Sequence, residues 1–223
     1  MNSKPFQDWL AHPHQTMFCP GIPGAGKTIM ASAVINHLYE HVDGPGNVGI
    51  AYVYGNFRRQ GDQQPIDILS SLLRQLLQHQ TSFPKEVHDN YGNSKRRGIR
   101  PPIEELSRLF VAVLGHYTRS FIVIDALDEC RAQDPACRGL LTALFGIQEQ
   151  TSMSVFVTSR FIPEIMEHFK EGPGRYTVRI EARGDDVRRY LEGHVSRLPA
   201  FVARNPELQQ EIIMEISQSI DGM

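Results

Sequence analysis

A glycine-rich segment carries the strongest chemical signal in the sequence. The residues Gly21, Ile22, Pro23, Gly24, Ala25, Gly26, Lys27 and Thr28 fit the pattern G-x-x-x-x-G-K-[ST], between an apolar run and a helical pattern. Glycines let the backbone curl so that successive N–H groups point into one concavity, and the helix start adds positive partial charge. We expect a phosphate cradle in which Lys27 reaches the β- and γ-phosphates and Thr28 ligates Mg²⁺. We expect the nucleotide-contacting segment to extend through Ile29.

A group of acids follows a second apolar run. Residues 121–124 are Phe-Ile-Val-Ile, which is typical of a strand buried on both faces, and Asp125 comes directly after them. Asp125 should emerge at the carboxyl edge of the sheet and hold Mg²⁺ directly or through water. Asp128 and Glu129 come next, and one of the two is expected to orient the attacking water. The sequence leaves open which one does so.

An arginine ends a third apolar run. Arg160 follows Thr158 and Ser159 and is expected at the same edge of the sheet. The glycine-rich segment 21–28 is a P-loop motif. If the strand of Arg160 lies between the strand before this P-loop and the strand of Asp125, Arg160 can contact the γ-phosphate. The alternative is a surface arginine before a helix starting at Pro163. Arg58 and Arg59 are further cations that could face the phosphates.

The elements that must position these residues alternate between strand and helix patterns, which is typical of an α/β protein with a mainly parallel sheet. The strands are predicted at residues 16–19, 48–54, 121–124, 154–158 and 176–180. Helices are predicted over residues 27–41, from Pro65, from Pro102, around Leu140, and at residues 187–198 and 205–220. We predict a P-loop NTPase three-layer sandwich over residues 1–183, then the start of a small helical lid domain over 184–223. Because the chain stops directly after an apolar helical face, we expect a fragment of a longer protein.

Composition excludes several classes. The chain has 223 residues with 23 Lys plus Arg against 25 Asp plus Glu, so its formal net charge is −2. That balance does not favour nucleic acid or a membrane as a partner. Three cysteines without a C-x-x-C pair give neither a disulfide framework nor a zinc motif, and neither an export signal nor an apolar run long enough to span a membrane is present. These observations predict a cytoplasmic protein.

Weaker patterns favour structural interpretations. Residues 44–49 fit G-x-G-x-x-G but precede a strand, which indicates a turn. His37 and His41 share a helix face without a third ligand, so a metal site is disfavoured. The basic cluster at residues 95–100 is interpreted as a solvated loop.

The P-loop, the segment 121–129 and the segment 158–160 together resemble the NACHT family of STAND P-loop NTPases, of the fungal nephrocystin type. Ala126 stands where that family often has glycine. The resemblance implies a nucleotide switch with an ADP-bound closed state, exchange for ATP and self-association of the full-length protein. It also implies ankyrin or other repeat or effector domains in the same polypeptide.

The hypothesis from the sequence is Mg²⁺-dependent binding and slow hydrolysis of ATP, with catalytic roles for Lys27, Asp128, Glu129 and Arg160. No N-K-x-D motif is present, which favours adenine, and GTP stays open. The alternatives are a small-molecule or nucleoside kinase, against which the Asp128–Glu129 pair argues, and a scaffold that holds nucleotide without hydrolysing it.

Overall fold

Five parallel strands make up one sheet among the residues that the computed structural model describes, which are 1–41, 47–55, 64–78, 101–130, 135–170, 172–181, 191, 193–194 and 200–221. The strands are β1 (Thr16–Pro20), β2 (Val48–Tyr54), β3 (Arg119–Asp125), β4 (Met153–Ser159) and β5 (Arg175–Thr177). Their order is β2-β3-β4-β1-β5, and every pairing is parallel. The predicted α/β fold with a parallel five-stranded sheet is confirmed.

Helices cover both faces of this sheet. Within residues 1–180 they are α1 (Lys4–Ala11), α2 (Lys27–His41), α3 (Pro65–Gln78), α4 (Ile103–Leu114), α5 (Pro135–Gln150) and α6 (Pro163–His168). One core contains buried side chains of α3, α4, α5 and α6 together with Ile122 and Ile124 of β3. The other contains α1 and α2 together with Phe121 and Val123 of the same strand. Because neighbouring residues of β3 face opposite cores, the sheet is the middle layer of a three-layer sandwich.

The apolar patterns explain these helices. Helix α3 begins at Pro65, as predicted, and buries Ile68, Leu69, Leu72, Leu73 and Leu76 at helical spacing. Helix α4 buries Leu106, Leu109, Phe110, Val113 and Leu114. On the opposite face, α1 buries Trp9 completely, and the Trp9 indole donates a hydrogen bond of 3.0 Å to the Val155 carbonyl.

The last predicted strand is wrong in its bounds. It was expected over residues 176–180, whereas β5 spans Arg175–Thr177. Two hydrogen bonds continue the pairing, from Val178 N to Phe18 O at 2.9 Å and from Ile180 N to Pro20 O at 2.8 Å. The return bond between them would need an N–H at position 20, and proline has none. The other four strands include the predicted residues and extend one or two residues further at one or both ends, except β2, which matches.

The chain divides into two compact units, residues 1–180 and 181–223. The smaller unit contains α7 (Ala200–Ala203) and α8 (Pro206–Asp221), which confirms the helix expected after Asn205. The Asn205 side chain accepts a hydrogen bond of 3.2 Å from Leu208 N, as a helix cap does. The assignment of a lid domain to residues 184–223 stays a prediction.

Some predicted features lie outside the described residues. They are Arg58 and Arg59, the basic cluster at 95–100, the first residues of the turn at 44–49, and most of the helix expected at 187–198. Within the described ranges, no helix is both long and apolar enough to cross a membrane.

Candidate functional site

The glycine-rich segment joins β1 to α2 at the carboxyl edge of the sheet. Gly24 and Gly26 have φ angles of +82° and +92°, which L side chains rarely adopt. A Cβ built on either glycine meets no atom within 4 Å, so there is open space beside this backbone. The start of the segment is fixed, because Gly21 N donates a hydrogen bond of 3.0 Å to Ser159 O of β4. A curled backbone with free space next to a helix start is the shape that a phosphate group fits.

Lys27 lies against the same segment. Its ammonium group donates hydrogen bonds to Gly21 O at 2.9 Å and to Ile22 O at 2.8 Å. Burial lowers its pKa, which the nearby carboxylates of Asp128, Asp125 and Glu129 oppose and Arg160 reinforces. Lys27 therefore interacts electrostatically with charged residues that the sequence analysis found in two other stretches of the chain.

Thr28 connects the glycine-rich segment to β3. Its hydroxyl donates a hydrogen bond of 2.7 Å to Oδ2 of Asp125, a residue 97 positions away in the sequence. Asp125 is the last residue of β3 and is almost fully buried. A hydroxyl and a carboxylate are the hard oxygen ligands that Mg²⁺ prefers, and Mg²⁺ commonly takes only one or two protein ligands. The described residues thus fit a magnesium-bound nucleotide.

Asp128 and Glu129 form part of a 3₁₀ turn, Leu127–Glu129, after β3. Asp128 accepts hydrogen bonds from Arg160 N at 3.0 Å and from Arg160 Nε at 2.5 Å, and its side chain is 1% exposed. Glu129 is 14% exposed and lies 3.3 Å from Nη2 of Arg160. The hydrogen bond and charge of Asp128, followed by the charge of Glu129, raise the pKa of Arg160. Asp128 therefore fixes Arg160 through two hydrogen bonds, whereas the contact between Glu129 and Arg160 is longer.

The strand order satisfies the condition set for Arg160, because β4 lies between β1 and β3. Arg160 follows β4 directly at the carboxyl edge of the sheet. Its side chain contacts Asp128 and Glu129, so a role at the γ-phosphate stays a prediction. Ile29 is 74% exposed, and its contact with a nucleotide stays a prediction.

Thr158 is a member of the site that the sequence analysis did not assign. Its hydroxyl donates a hydrogen bond of 2.6 Å to Oδ1 of Asp125 and accepts one of 2.9 Å from Ala126 N. Ala126 itself has a φ of +53°, which is unfavourable for a residue with a Cβ. The alanine noted in the sequence analysis thus lies at a backbone conformation that favours glycine.

Two other candidate groups are not part of the site. The rings of His37 and His41 stack at 4.3 Å on α2, and within the described residues no three metal-ligating side chains cluster. Cys19 is buried in β1, and burial raises the pKa of its thiol to about 12, so it is unsuited to act as a nucleophile.

Comparison with known proteins gives a family and a fold. Residues 1–160 match the family model described as nephrocystin 3, N-terminal. No curated protein matches the sequence.

Similar solved structures share the fold at low sequence identity. The ORC1 protein of Aeropyrum pernix, in complex with DNA, has a TM-score of 0.59 and 18% identity, over 83% of this chain and 45% of that one. The Aeropyrum pernix ORC2 protein, in ADPNP-ADP complexes, has a TM-score of 0.55 and 16% identity, over 83% and 47%. A Walker-type ATPase of Pyrococcus abyssi has a TM-score of 0.56 and 12% identity, over 94% and 60%. The chain thus covers 45–60% of the length of these proteins.

Proposed function

The chain belongs to the nephrocystin 3 N-terminal family, and we propose that it binds Mg²⁺·ATP and hydrolyses it slowly, so that the bound nucleotide sets its conformation. The observation that carries this proposal is the contact of 2.7 Å between the Thr28 hydroxyl and Asp125. This contact joins the phosphate-binding segment to the acid at the end of β3. P-loop NTPases hold Mg²⁺ with this pair of residue types.

Each residue of the site has a role in this proposal. The backbone N–H groups of residues 21–28 and the ammonium of Lys27 bind the phosphates, and Thr28 and Asp125 hold the cation. When bound, Mg²⁺ neutralises charge on the phosphate oxygens. Glu129 orients the attacking water, because Asp128 is almost fully buried and already occupied by Arg160. Arg160 stabilises phosphate charge once it leaves these acids.

The biological setting follows from the resemblance to NACHT domains. We propose a switch of the STAND type, with an ADP-bound closed state, exchange for ATP and self-association of the full-length protein. Repeat or effector domains in the same polypeptide would transmit the signal. Adenine is favoured over guanine, and the ADPNP-ADP complexes of the similar ORC2 structure support an adenine nucleotide.

A second candidate is a scaffold that holds nucleotide without hydrolysing it. The contact of Arg160 with both Asp128 and Glu129 favours it, since this pairing occupies the acids that hydrolysis would need. The two functions differ in what Glu129 does.

The test combines binding and turnover. Labelled ATP, ADP and GTP are titrated with and without Mg²⁺, each complex is sized, and phosphate release is then measured for the wild type and Glu129→Gln. A switch ATPase binds adenine nucleotides more tightly with Mg²⁺, and Glu129→Gln lowers its phosphate release by about a hundredfold, as loss of a general base does. Equal release by both proteins supports the scaffold, phosphate transfer to an added nucleoside or sugar supports a kinase, and no affinity for any nucleotide refutes the proposal.

A further inference from the structure

Thr158 occupies the one position in the described part of β4 from which a hydroxyl bonds to both Asp125 and the turn that follows it. The side chain is fully buried at the carboxyl end of the strand. Its oxygen lies 2.6 Å from Oδ1 of Asp125 and 2.9 Å from Ala126 N. The hydroxyl therefore bridges β4 to the end of β3.

The direction of these hydrogen bonds is fixed by chemistry. A backbone N–H can only donate, so the Thr158 oxygen must accept from Ala126 N. The single hydroxyl proton is then directed to Oδ1 of Asp125. The other oxygen, Oδ2, accepts from Thr28 at 2.7 Å. Asp125 is thus held from both sides, with one oxygen on β4 and the other on the glycine-rich segment.

We propose that Thr158 is a positioning residue for the divalent cation, acting through Asp125. This inference rests on the proposed function, because it requires the cation to bind at Thr28 and Asp125. Since Thr158 is buried and both of its hydrogen bonds are made within the protein, it contacts neither phosphate nor metal. It fixes the rotation of the Asp125 carboxylate so that Oδ2 stays on the Thr28 side. Residues that orient a metal ligand in this way typically contribute about 10- to 100-fold to metal affinity.

The test compares Thr158→Val, which has nearly the same shape without the hydroxyl, with Thr158→Ser, which keeps the hydroxyl. Mn²⁺ serves as the probe, and its binding in the presence of ADP is followed by electron paramagnetic resonance. Binding of labelled ADP in EDTA is measured on the same proteins. We expect Thr158→Val to lower the Mn²⁺ affinity by about tenfold, with ADP binding in EDTA unchanged. Thr158→Ser should restore the wild-type Mn²⁺ affinity.

Thr16→Val is the matched control. Thr16 is also a buried threonine on a strand, and its hydroxyl donates a hydrogen bond of 3.1 Å to Gln148. It is the first residue of β1, at the end of that strand away from the glycine-rich segment. Its substitution should lower thermal stability without changing Mn²⁺ affinity. A general loss of stability is thereby separated from a change at the cation.

Each remaining outcome decides the matter. A folded Thr158→Val variant with wild-type Mn²⁺ affinity overturns the inference, and so does an equal loss in Thr16→Val. If Thr158→Val does not fold, Thr158→Ala replaces it, and failure of both to fold makes Thr158 a folding residue and also overturns the inference. A wild type that binds no ADP refutes the proposed function instead, whereas ADP binding with wild-type Mn²⁺ affinity in Thr158→Val refutes the positioning role alone.

Discussion

At the amino edge of the sheet, Arg119 donates hydrogen bonds to the carbonyls of Leu10, Ala11 and His12, whereas at the carboxyl edge Thr28 and Thr158 donate to a carboxylate. Both edges bury polar side chains. The partners at the amino edge are mainly main-chain carbonyls, which do not change charge. At the carboxyl edge Thr28, Thr158 and Arg160 donate to carboxylates, which can change charge. Burial of polar groups therefore does not identify the site, but the pairing of hydroxyls and a cation with buried acids does.

The two edges also differ in how completely their polar atoms are paired. Among the described residues, the buried side-chain atoms without a hydrogen-bond partner are Arg119 Nε and Ser120 Oγ, both at the amino edge. At the carboxyl edge, each oxygen of Asp125 and of Asp128 accepts a hydrogen bond. A fully paired network holds its members in one geometry, as a cation site needs. The comparison predicts that substitutions at the amino edge alter stability without altering ligand binding, whereas those that change ligand binding lie at the carboxyl edge.

The largest effect is expected for Lys27→Ala. Loss of the ammonium should weaken ATP binding by about a hundredfold, or about 3 kcal/mol, because a charged hydrogen-bond donor to phosphate is removed. The fold should persist: burial lowers the pKa of Lys27, so its charged form is less favoured in the folded protein than in the unfolded chain. Titration of labelled ATP and thermal unfolding measure the two properties. Lys170→Ala, an exposed lysine paired with Glu167, is the control, and tight ATP binding by Lys27→Ala would contradict the P-loop assignment.

The next effect separates the two acids after β3. Asp128→Asn should lower the free energy of unfolding by about 2 kcal/mol, because a nearly buried carboxylate loses its ion pair with a partly exposed arginine. Glu129→Gln should change it by less than about 1 kcal/mol, because its contact with Arg160 is longer and the glutamine oxygen can still accept a hydrogen bond. Urea unfolding of both variants gives the difference. Equal destabilisation would mean that the two acids are not divided between structure and chemistry.

Arg119→Met tests the amino edge. Three carbonyls at the end of α1 lose their donor, and we expect a loss of about 1.5 kcal/mol, since some of them can bind water instead. Affinity for ADP should stay that of the wild type. Arg175→Met is the control. Both guanidinium groups lie 5.0 Å from the centre of an aromatic ring, Arg119 over Phe121 and Arg175 over Phe145. Arg175, however, donates to the carbonyl of one residue, His168. A change in ADP affinity for Arg119→Met would break the division between the edges.

The smallest effect is a gain in stability. Ala126→Gly relieves a residue held at φ +53° and should stabilise the protein by about 0.5–1 kcal/mol after the larger backbone entropy of glycine is subtracted. His14 has a similar φ of +59° at the amino edge, but its ring hydrogen-bonds to Gln148 O at 3.0 Å. His14→Gly should therefore give no net gain. Thermal unfolding of the two variants checks this, and a loss of stability in Ala126→Gly would show that the alanine methyl makes a needed contact.

Much of the fold was predictable because its signals are local. The glycine-rich segment and the apolar period place α2 at Lys27–His41, as expected from sequence, and the apolar runs place the strands. The end of β5 was not predictable from its own residues, since it depends on the missing N–H of Pro20 in the neighbouring strand.

The candidate site was predictable where a motif names the residue type. Thr158 was missed because a threonine in a strand is an ordinary strand former, and its hydroxyl has meaning only once β4 is known to lie beside β3. Outside the site, the role of Arg119 at the amino edge was missed for a similar reason, because its partners lie 107 to 109 positions away in the sequence. Asp128 and Glu129 looked equivalent in sequence, but they differ in burial and in how Arg160 contacts them.

The most direct test of the central claim is a double-mutant cycle on Thr28 and Asp125. Affinity for ADP is measured with Mg²⁺ and with EDTA for the wild type, Thr28→Val, Asp125→Asn and the double variant. If the two side chains form one cation site, Mg²⁺ strengthens binding in the wild type, each single substitution removes that gain, and the double variant loses no more than either. Retention of the Mg²⁺ gain in either single variant, or losses that add, would contradict the claim.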